Sequence, residues 1–283
     1  MKVIKGSVTI AVAAAATVAL VGLSGSVNAT ARPLTKGTLG PAVHLAHGPA
    51  RGPHPKAAQS IPIDYSGNWS GYVTQPKSGG ATGFKYVHAD YSVPSVNCTT
   101  TPYAFSYHWV GLDGWTDGTV EQDGVGSFCV NGSPDYFAWY EMYPAGNTFE
   151  FSVNPGDAIS SSVTYIGSAK YTLALTDQTT GQSFNTTQTC TSTCDNSSAE
   201  VITEGYTSAP YAGTADFAQE HYDTASAQAT GGAKGGLTSV HWNTIESIAL
   251  GGTTGGIDTE PGPLYKATAP GESAFPLTWL GED

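Results

Sequence analysis

Two distant stretches hold residues of the types needed to activate a water molecule. Trp109, Asp113 and Gln122 fall in YHWVGLDGWTDGTVEQ (Tyr107–Gln122), and Glu204 falls in AEVITEGY (Ala199–Tyr206). Both stretches alternate like strands. With a period of two, Val120, Gln122 and Gly124 share one face of their strand, and Glu200, Ile202 and Glu204 share another on theirs. A carboxylate can take a proton from water, and a primary amide can donate a hydrogen bond to an oxygen that gains negative charge. A Gln and a Glu on inward strand faces, beside a Trp, could therefore hold and activate a water. A third carboxyl, Glu141, shares its face with Phe137, Trp139 and Tyr143, and such surroundings resist ionisation. Glu204 shares its face with Glu200, so a further carboxyl is expected nearby.

Other hydrolytic chemistries find less support. No Gly-x-Ser-x-Gly elbow offers a nucleophilic Ser. The two Asp-Thr/Ser-Gly turns of an aspartic protease are missing, because DGT at Asp117 has its residues in another order. His88, His108, His221 and His241 each sit in alternating stretches and read as structural. Four cysteines, Cys98, Cys129, Cys190 and Cys194, allow three pairings. Cys98–Cys129 and Cys190–Cys194 are favoured, since each pair flanks local turns. With no Cys-x-x-Cys and no His near Cys190, neither a metal nor another cofactor is expected.

These residues need a scaffold, and the chain supplies one after a leader. Lys2 and Lys5 precede an apolar run from Val8 to Leu23, and Ala29-Thr30-Ala31 follows as a small-residue cleavage candidate. This reads as a signal peptide over residues 1–31, with export to the extracellular side. Residues 32–60 carry Arg32, Lys36, Arg51, Lys56 and three His but no acid, are rich in Pro and Gly, and read as a basic pro-segment. Residues 61–283 form the remaining domain. There, five Lys against 23 Asp and Glu leave a formal charge of −18. Such a surface lacks the basic patch that phosphates require, which excludes nucleic acid as a partner. It repels itself at neutral pH and relaxes as carboxylates protonate, as suits a protein working in acid.

Within residues 61–283 about a dozen short alternating runs follow one another, separated by Gly, Pro and Asn turns. Expected strands include Asn68–Thr74, Phe84–Val93, Ala104–Gly111, Thr119–Asp123, Tyr136–Tyr143, Ala199–Tyr206, Ala215–Tyr222 and Ser239–Leu250. Thr224–Leu237 and Gly251–Gly271 read as loops. Such spacing predicts an all-β fold, a sandwich or barrel of antiparallel sheets.

Four motifs in order then resemble one family, the glutamic peptidases or eqolisins. NWSGYV (Asn68–Val73) is similar to the family's opening strand. WVGLDG and the Gln of VEQDG are similar to its Trp, Asp and catalytic Gln. AWYEMYP (Ala138–Pro144) is similar to its aromatic-Glu strand, and AEVITEGY to the strand bearing its catalytic Glu, which falls on Glu204. The resemblance runs from about residue 66 to the end and is strongest from Asn68 to Tyr206. The better-known fungal members carry an Asp shortly after the Gln, where this chain has Gly124-Val125-Gly126. The resemblance implies a concanavalin-like sandwich of two curved sheets with the site in a concave groove. It implies Gln122 and Glu204 as catalytic residues, Trp109, Asp113 and Glu141 as their support, and protein or peptide substrates for a secreted monomer. It also implies a water-based mechanism without a covalent intermediate. The alternative is a secreted carbohydrate-active or carbohydrate-binding sandwich, with Glu141 and Glu204 as a glycosidase pair. Gln122 separates the two, because only the peptidase needs it.

Overall fold

The computed structural model describes residues 37–38, 61–78, 83–205, 213–250 and 256–281. The expected signal peptide lies outside the described residues, as does all of the expected pro-segment except Gly37–Thr38. The strands, in chain order, are β1 (Gly37–Thr38), β2 (Ile63–Ser66), β3 (Trp69–Pro76), β4 (Phe84–Ser92), β5 (Ala104–Leu112) and β6 (Val120–Val130). They continue with β7 (Ser133–Tyr143), β8 (Thr148–Ser152), β9 (Ala158–Gly167), β10 (Lys170–Asp177), β11 (Ser183–Thr189) and β12 (Ala199–Gly205). The last six are β13 (Gln219–Ala229), β14 (Lys234–Gly236), β15 (Trp242–Leu250), β16 (Ile257–Pro261), β17 (Tyr265–Lys266) and β18 (Ser273–Trp279). No helix occurs among the described residues, so none is long and apolar enough to cross a membrane.

The strands pack as two layers. The front sheet runs β1, β8, β7, β6, β5, β12, β3, β15, and every neighbour is antiparallel. The back sheet runs β11, β10, β9, β4, β13, β18, again antiparallel. At one margin β16 pairs with both β15 and β18, which joins the layers, while β2 lies parallel to β15. The fold is thus the expected antiparallel sandwich.

Alternation explains the packing. Val110 and Leu112 of β5, Val125 of β6 and Val201 of β12 point back and meet Val87, Tyr91, Leu173 and Tyr222 in the inter-sheet core. The other parity of the front sheet carries a second apolar group, including Trp69, Tyr107, Trp109, Phe137, Trp139 and Phe149. Cys98–Cys129 and Cys190–Cys194 are both disulfides, as expected.

Some boundaries differ from expectation. β6 continues to Val130 rather than ending at Asp123, because Gly124 and Gly126 hide the alternation although they pair in register with Trp139 and Phe137. β13 starts later and runs through Ala229, within the expected loop Thr224–Leu237. Its register shifts between Tyr222 and Ala225, which breaks the period-two pattern. β16 and β17 lie within the expected loop Gly251–Gly271.

Candidate active site

The two residues at the centre of the sequence reading stand on one face of the front sheet. Directly opposed residues in an antiparallel pair share a face. Glu204 opposes Trp69 and Tyr107, Ile202 opposes Trp109, and Gln122 opposes Gly111 and Glu141. Gln122 and Glu204 are therefore four residues apart along β5 and two strand spacings apart across it. At about 3.3 Å per residue and about 4.8 Å per strand, their backbones are roughly 16 Å apart. They do not hydrogen-bond each other; each is held by its own partners.

Glu204 is 3% exposed. Its Oε1 accepts from Asn68 Nδ2 at 2.9 Å, and its Oε2 accepts from Trp109 Nε1 at 3.2 Å. Gly205 N donates to Asn68 O at 2.9 Å, which locks the same two chains together beside the carboxylate. Asn68 stands one residue before Trp69 in the NWSGYV motif, and nothing in that spacing signals that its side chain reaches Glu204 on β12.

Gln122 is 1% exposed, and its Nε2 donates to Glu141 Oε2 at 2.8 Å. An acceptor-only carboxylate at that distance fixes which end of the amide is nitrogen. The second hydrogen on Nε2 is left for another acceptor, and Oε1 has no hydrogen-bond partner. The amide thus presents a donor and an acceptor side by side.

Trp109 fills the distance between the two. A Cβ at Gly111 would come within 2.8 Å of Trp109 Cζ3, and one at Gly124 within 2.7 Å of Trp109 Cβ. The indole therefore lies along the sheet as a floor. Its Nε1 faces Glu204, while its far edge lies over Gly111, the residue opposite Gln122. Trp69 stands edge-on to it, with ring centroids 4.9 Å apart and planes at 78°. Gly126, in the Gly124-Val125-Gly126 stretch where the chain departs from the fungal pattern, sits under Phe137, and a Cβ there would come within 2.5 Å of the ring. The glycine makes room for an aromatic side chain from β7.

Asp113 hydrogen-bonds neither Gln122 nor Glu204, but it interacts with Glu121, the residue before Gln122. It has φ 71° and ends β5, and its Oδ1 accepts from Ser197 N. It belongs to a cluster of carboxyls with Asp117, Glu121 and Glu200. Burial pushes the Asp113 carboxyl up to about 6, and the charge of Asp117 adds to this. Glu121, fully buried, is pushed up to about 10 by burial and then by Asp113. The carboxyls of Glu121 and Asp113 interact, although no well-aligned hydrogen bond joins them. Glu200 is held well above the ordinary range by burial first and then by Asp113 and Asp117. Its carboxyl neighbours are thus these residues rather than Glu204. Glu121 escaped the sequence reading because, next to Gln122 on an alternating strand, it reads as a solvated outer residue. Glu121, Cys190 and Cys194 place possible ligand atoms within 4.8 Å of one another, but both sulfurs are in a disulfide rather than thiolates.

One face of an antiparallel two-sheet sandwich thus carries a buried Glu204, a Gln122 amide held by Glu141 and the Trp109 indole between them. The sequence model of the Peptidase A4 family matches residues 67–256, and the chain belongs to that family. It is a glutamic endopeptidase, with protein or peptide substrates. Solved structures share its fold. Scytalido-glutamic peptidase with a peptide-based transition-state analog aligns at TM-score 0.61 and 22% identity, over 76% of this chain and 98% of that one. SCP-B, a member of the eqolisin family in complex with the tripeptide Ala-Ile-His, aligns at TM-score 0.56 and 21% identity over the same shares. Aspergilloglutamic peptidase from Aspergillus niger aligns at TM-score 0.51 and 25% identity, over 62% of this chain and 99% of that one. A comparison with curated proteins gave no match.

Proposed function

We propose that the chain is a secreted acid endopeptidase in which Glu204 is the general base and Gln122 the oxyanion donor. The observation that carries this is the shared face. Glu204 and Gln122 stand at opposite ends of the Trp109 indole, each oriented by its own hydrogen bonds, and the Gln122 amide keeps an oxygen without a partner. A water over the indole gives one proton to Glu204 as its oxygen attacks the scissile carbonyl carbon. The carbonyl π electrons move to oxygen, which receives the free Nε2 hydrogen of Gln122. As the tetrahedral intermediate collapses, the C–N bond breaks and Glu204 returns its proton to the leaving nitrogen.

Gln122→Ala and Glu204→Gln are expected to abolish peptide cleavage with the fold intact. Losing one oxyanion donor costs about 2.7–4 kcal/mol of barrier, roughly 10²–10³ in turnover. The assay is digestion of a denatured protein across acidic pH, with an aspartic-protease inhibitor present. A folded Gln122→Ala enzyme with near-normal turnover would refute the dyad.

The same reading assigns residues 1–31 to export and residues 32–60 to an inhibitory pro-segment. One observation supports the latter: Gly37 and Thr38 pair with Phe149 and Thr148 on β8, extending the front sheet. The basic segment and the −18 domain attract at neutral pH, and the attraction fades as carboxyls protonate near pH 4. A form beginning near Arg32, shifted to acid, is expected to lose the segment as activity rises, whereas Glu204→Gln stays full length. Full activity with residues 32–60 still attached would leave the segment a linker.

A further inference from the structure

The inter-sheet core holds a polar layer directly behind the candidate site. Because side chains alternate, a residue next to each site residue in sequence points back into the sandwich. His108 precedes Trp109, Asp123 follows Gln122, and Thr203 precedes Glu204. All three are buried in a layer otherwise made by residues such as Val110, Val125 and Val201.

Each is tied to the back sheet. His108 Nδ1 lies 2.6 Å from Glu220 Oε2, and the Thr203 hydroxyl donates to the same oxygen at 2.7 Å. The Thr203 hydroxyl is also 3.1 Å from His108 Nδ1 and 3.1 Å from the Tyr222 hydroxyl. The Tyr222 hydroxyl donates to Ile202 O at 2.7 Å, and the Tyr91 hydroxyl donates to His108 O at 3.0 Å. Asp123 accepts from the Ser161 hydroxyl and from Ala174 N, the latter at 2.8 Å. Glu220 and Tyr222 belong to β13, Tyr91 to β4, Ser161 to β9 and Ala174 to β10. Four back strands thus reach across the core to the three front strands that carry Trp109, Gln122 and Glu204.

Stability alone does not account for this layer. Buried ionic and polar groups are costly to desolvate, and well-packed apolar replacements are often as stable. Hydrogen bonds differ from apolar contact in having a fixed length and direction. A layer of them holds the strands at set heights and rotations, which a site needs to within a fraction of an ångström.

We propose that Thr203, His108 and Asp123, held by Glu220, Tyr222, Tyr91 and Ser161, are positioning residues that orient Glu204, Trp109 and Gln122. This rests on the dyad reading above. The positioning residues touch no substrate and act through their sequence neighbours.

The test uses the active enzyme carrying Thr203→Val, which keeps the β-branched shape, and separately Tyr222→Phe, which keeps the ring between Tyr91 and Phe275. kcat and KM on a peptide substrate are measured with the thermal unfolding midpoint. kcat per folded molecule is expected to fall about tenfold or more, since a misplacement of about 1 Å can cost on the order of 10²-fold. KM should stay within about twofold, and Thr203→Ser should restore kcat, because it restores the hydroxyl. Wild-type kcat per folded molecule in both variants, whatever their unfolding midpoints, overturns the proposal and leaves the layer purely structural. Gln122→Ala runs alongside. If it is inactive while Thr203→Val and Tyr222→Phe turn over normally, only the positioning role fails. If Gln122→Ala itself turns over normally, the dyad reading fails and takes the positioning role with it.

Discussion

Glu121 offers a sharp test of whether this fold is more stable in acid than at neutral pH. Its carboxyl is fully buried beside Asp113, with Asp117 and Glu200 also acting in the cluster. Burial raises it from 4.5 to about 10. In the folded chain it therefore keeps its proton at neutral pH, while in the unfolded chain it releases the proton above about 4.5. Below that value both states hold the proton and the group has no effect on stability through titration. As pH rises from there towards 10, each pH unit favours the unfolded chain by about 1.36 kcal/mol. At pH 7 the accumulated cost is about 3 kcal/mol.

Glu121→Gln keeps the shape and removes the titration. Its amide can donate to Asp113 at any pH. The variant should match the parent within about 0.5 kcal/mol near pH 4 and exceed it by about 3 kcal/mol at pH 7. For a domain of this size that is a rise of roughly 6–12 °C in the unfolding midpoint. Urea unfolding of the active enzyme at both pH values reads the difference directly. A stability change of the same size at pH 4 and pH 7 would refute the reasoning, because it would show a packing effect without proton linkage. A variant less stable than the parent at pH 7 would do so more strongly.

Two further outcomes follow from the site. Asn68→Ala removes a side-chain donor to the Glu204 carboxyl. Turnover should drop about tenfold or more, and Asn68→Asp, which keeps the shape but loses the donor, should not restore it, as steady-state kinetics will show. Gly126→Ala places a Cβ against the Phe137 ring and should destabilise by about 1–3 kcal/mol, measured by chemical denaturation. Phe137→Leu in the same chain should recover part of that loss.

How far the sequence carried the structure depends on what each residue answers to. Alternation answers to a half-buried sheet, so β3, β4, β5, β7 and β12 were legible to within a few residues. β13 was not, because its bulge after Tyr222 shifts the apolar side from one parity to the other. Gln122, Glu204, Trp109 and Glu141 could be placed on one face from spacing and resemblance together. Their partners could not, since Asn68 and Glu204 are 136 residues apart and nothing local links them.

Asp113 and Glu121 show the deeper limit. A carboxyl on a strand is ordinarily solvated, and its sequence neighbours give no sign that it will be buried close to other carboxyls. Asp113, Glu121 and Glu200 are out of water beside a half-buried Asp117 because the end of β5, the start of β6 and the start of β12 converge, which is a property of register. The formal charge of −18 pointed to acid through the long-range field of the whole domain. The buried carboxyls place a second and more local source of the same preference beside the strand that carries Gln122. Salt distinguishes the two, because it screens surface charge over about 8–10 Å near physiological strength yet barely reaches a group out of water. Raising ionic strength at pH 7 should therefore recover only the surface share of the lost stability, whereas Glu121→Gln should recover its share at any ionic strength.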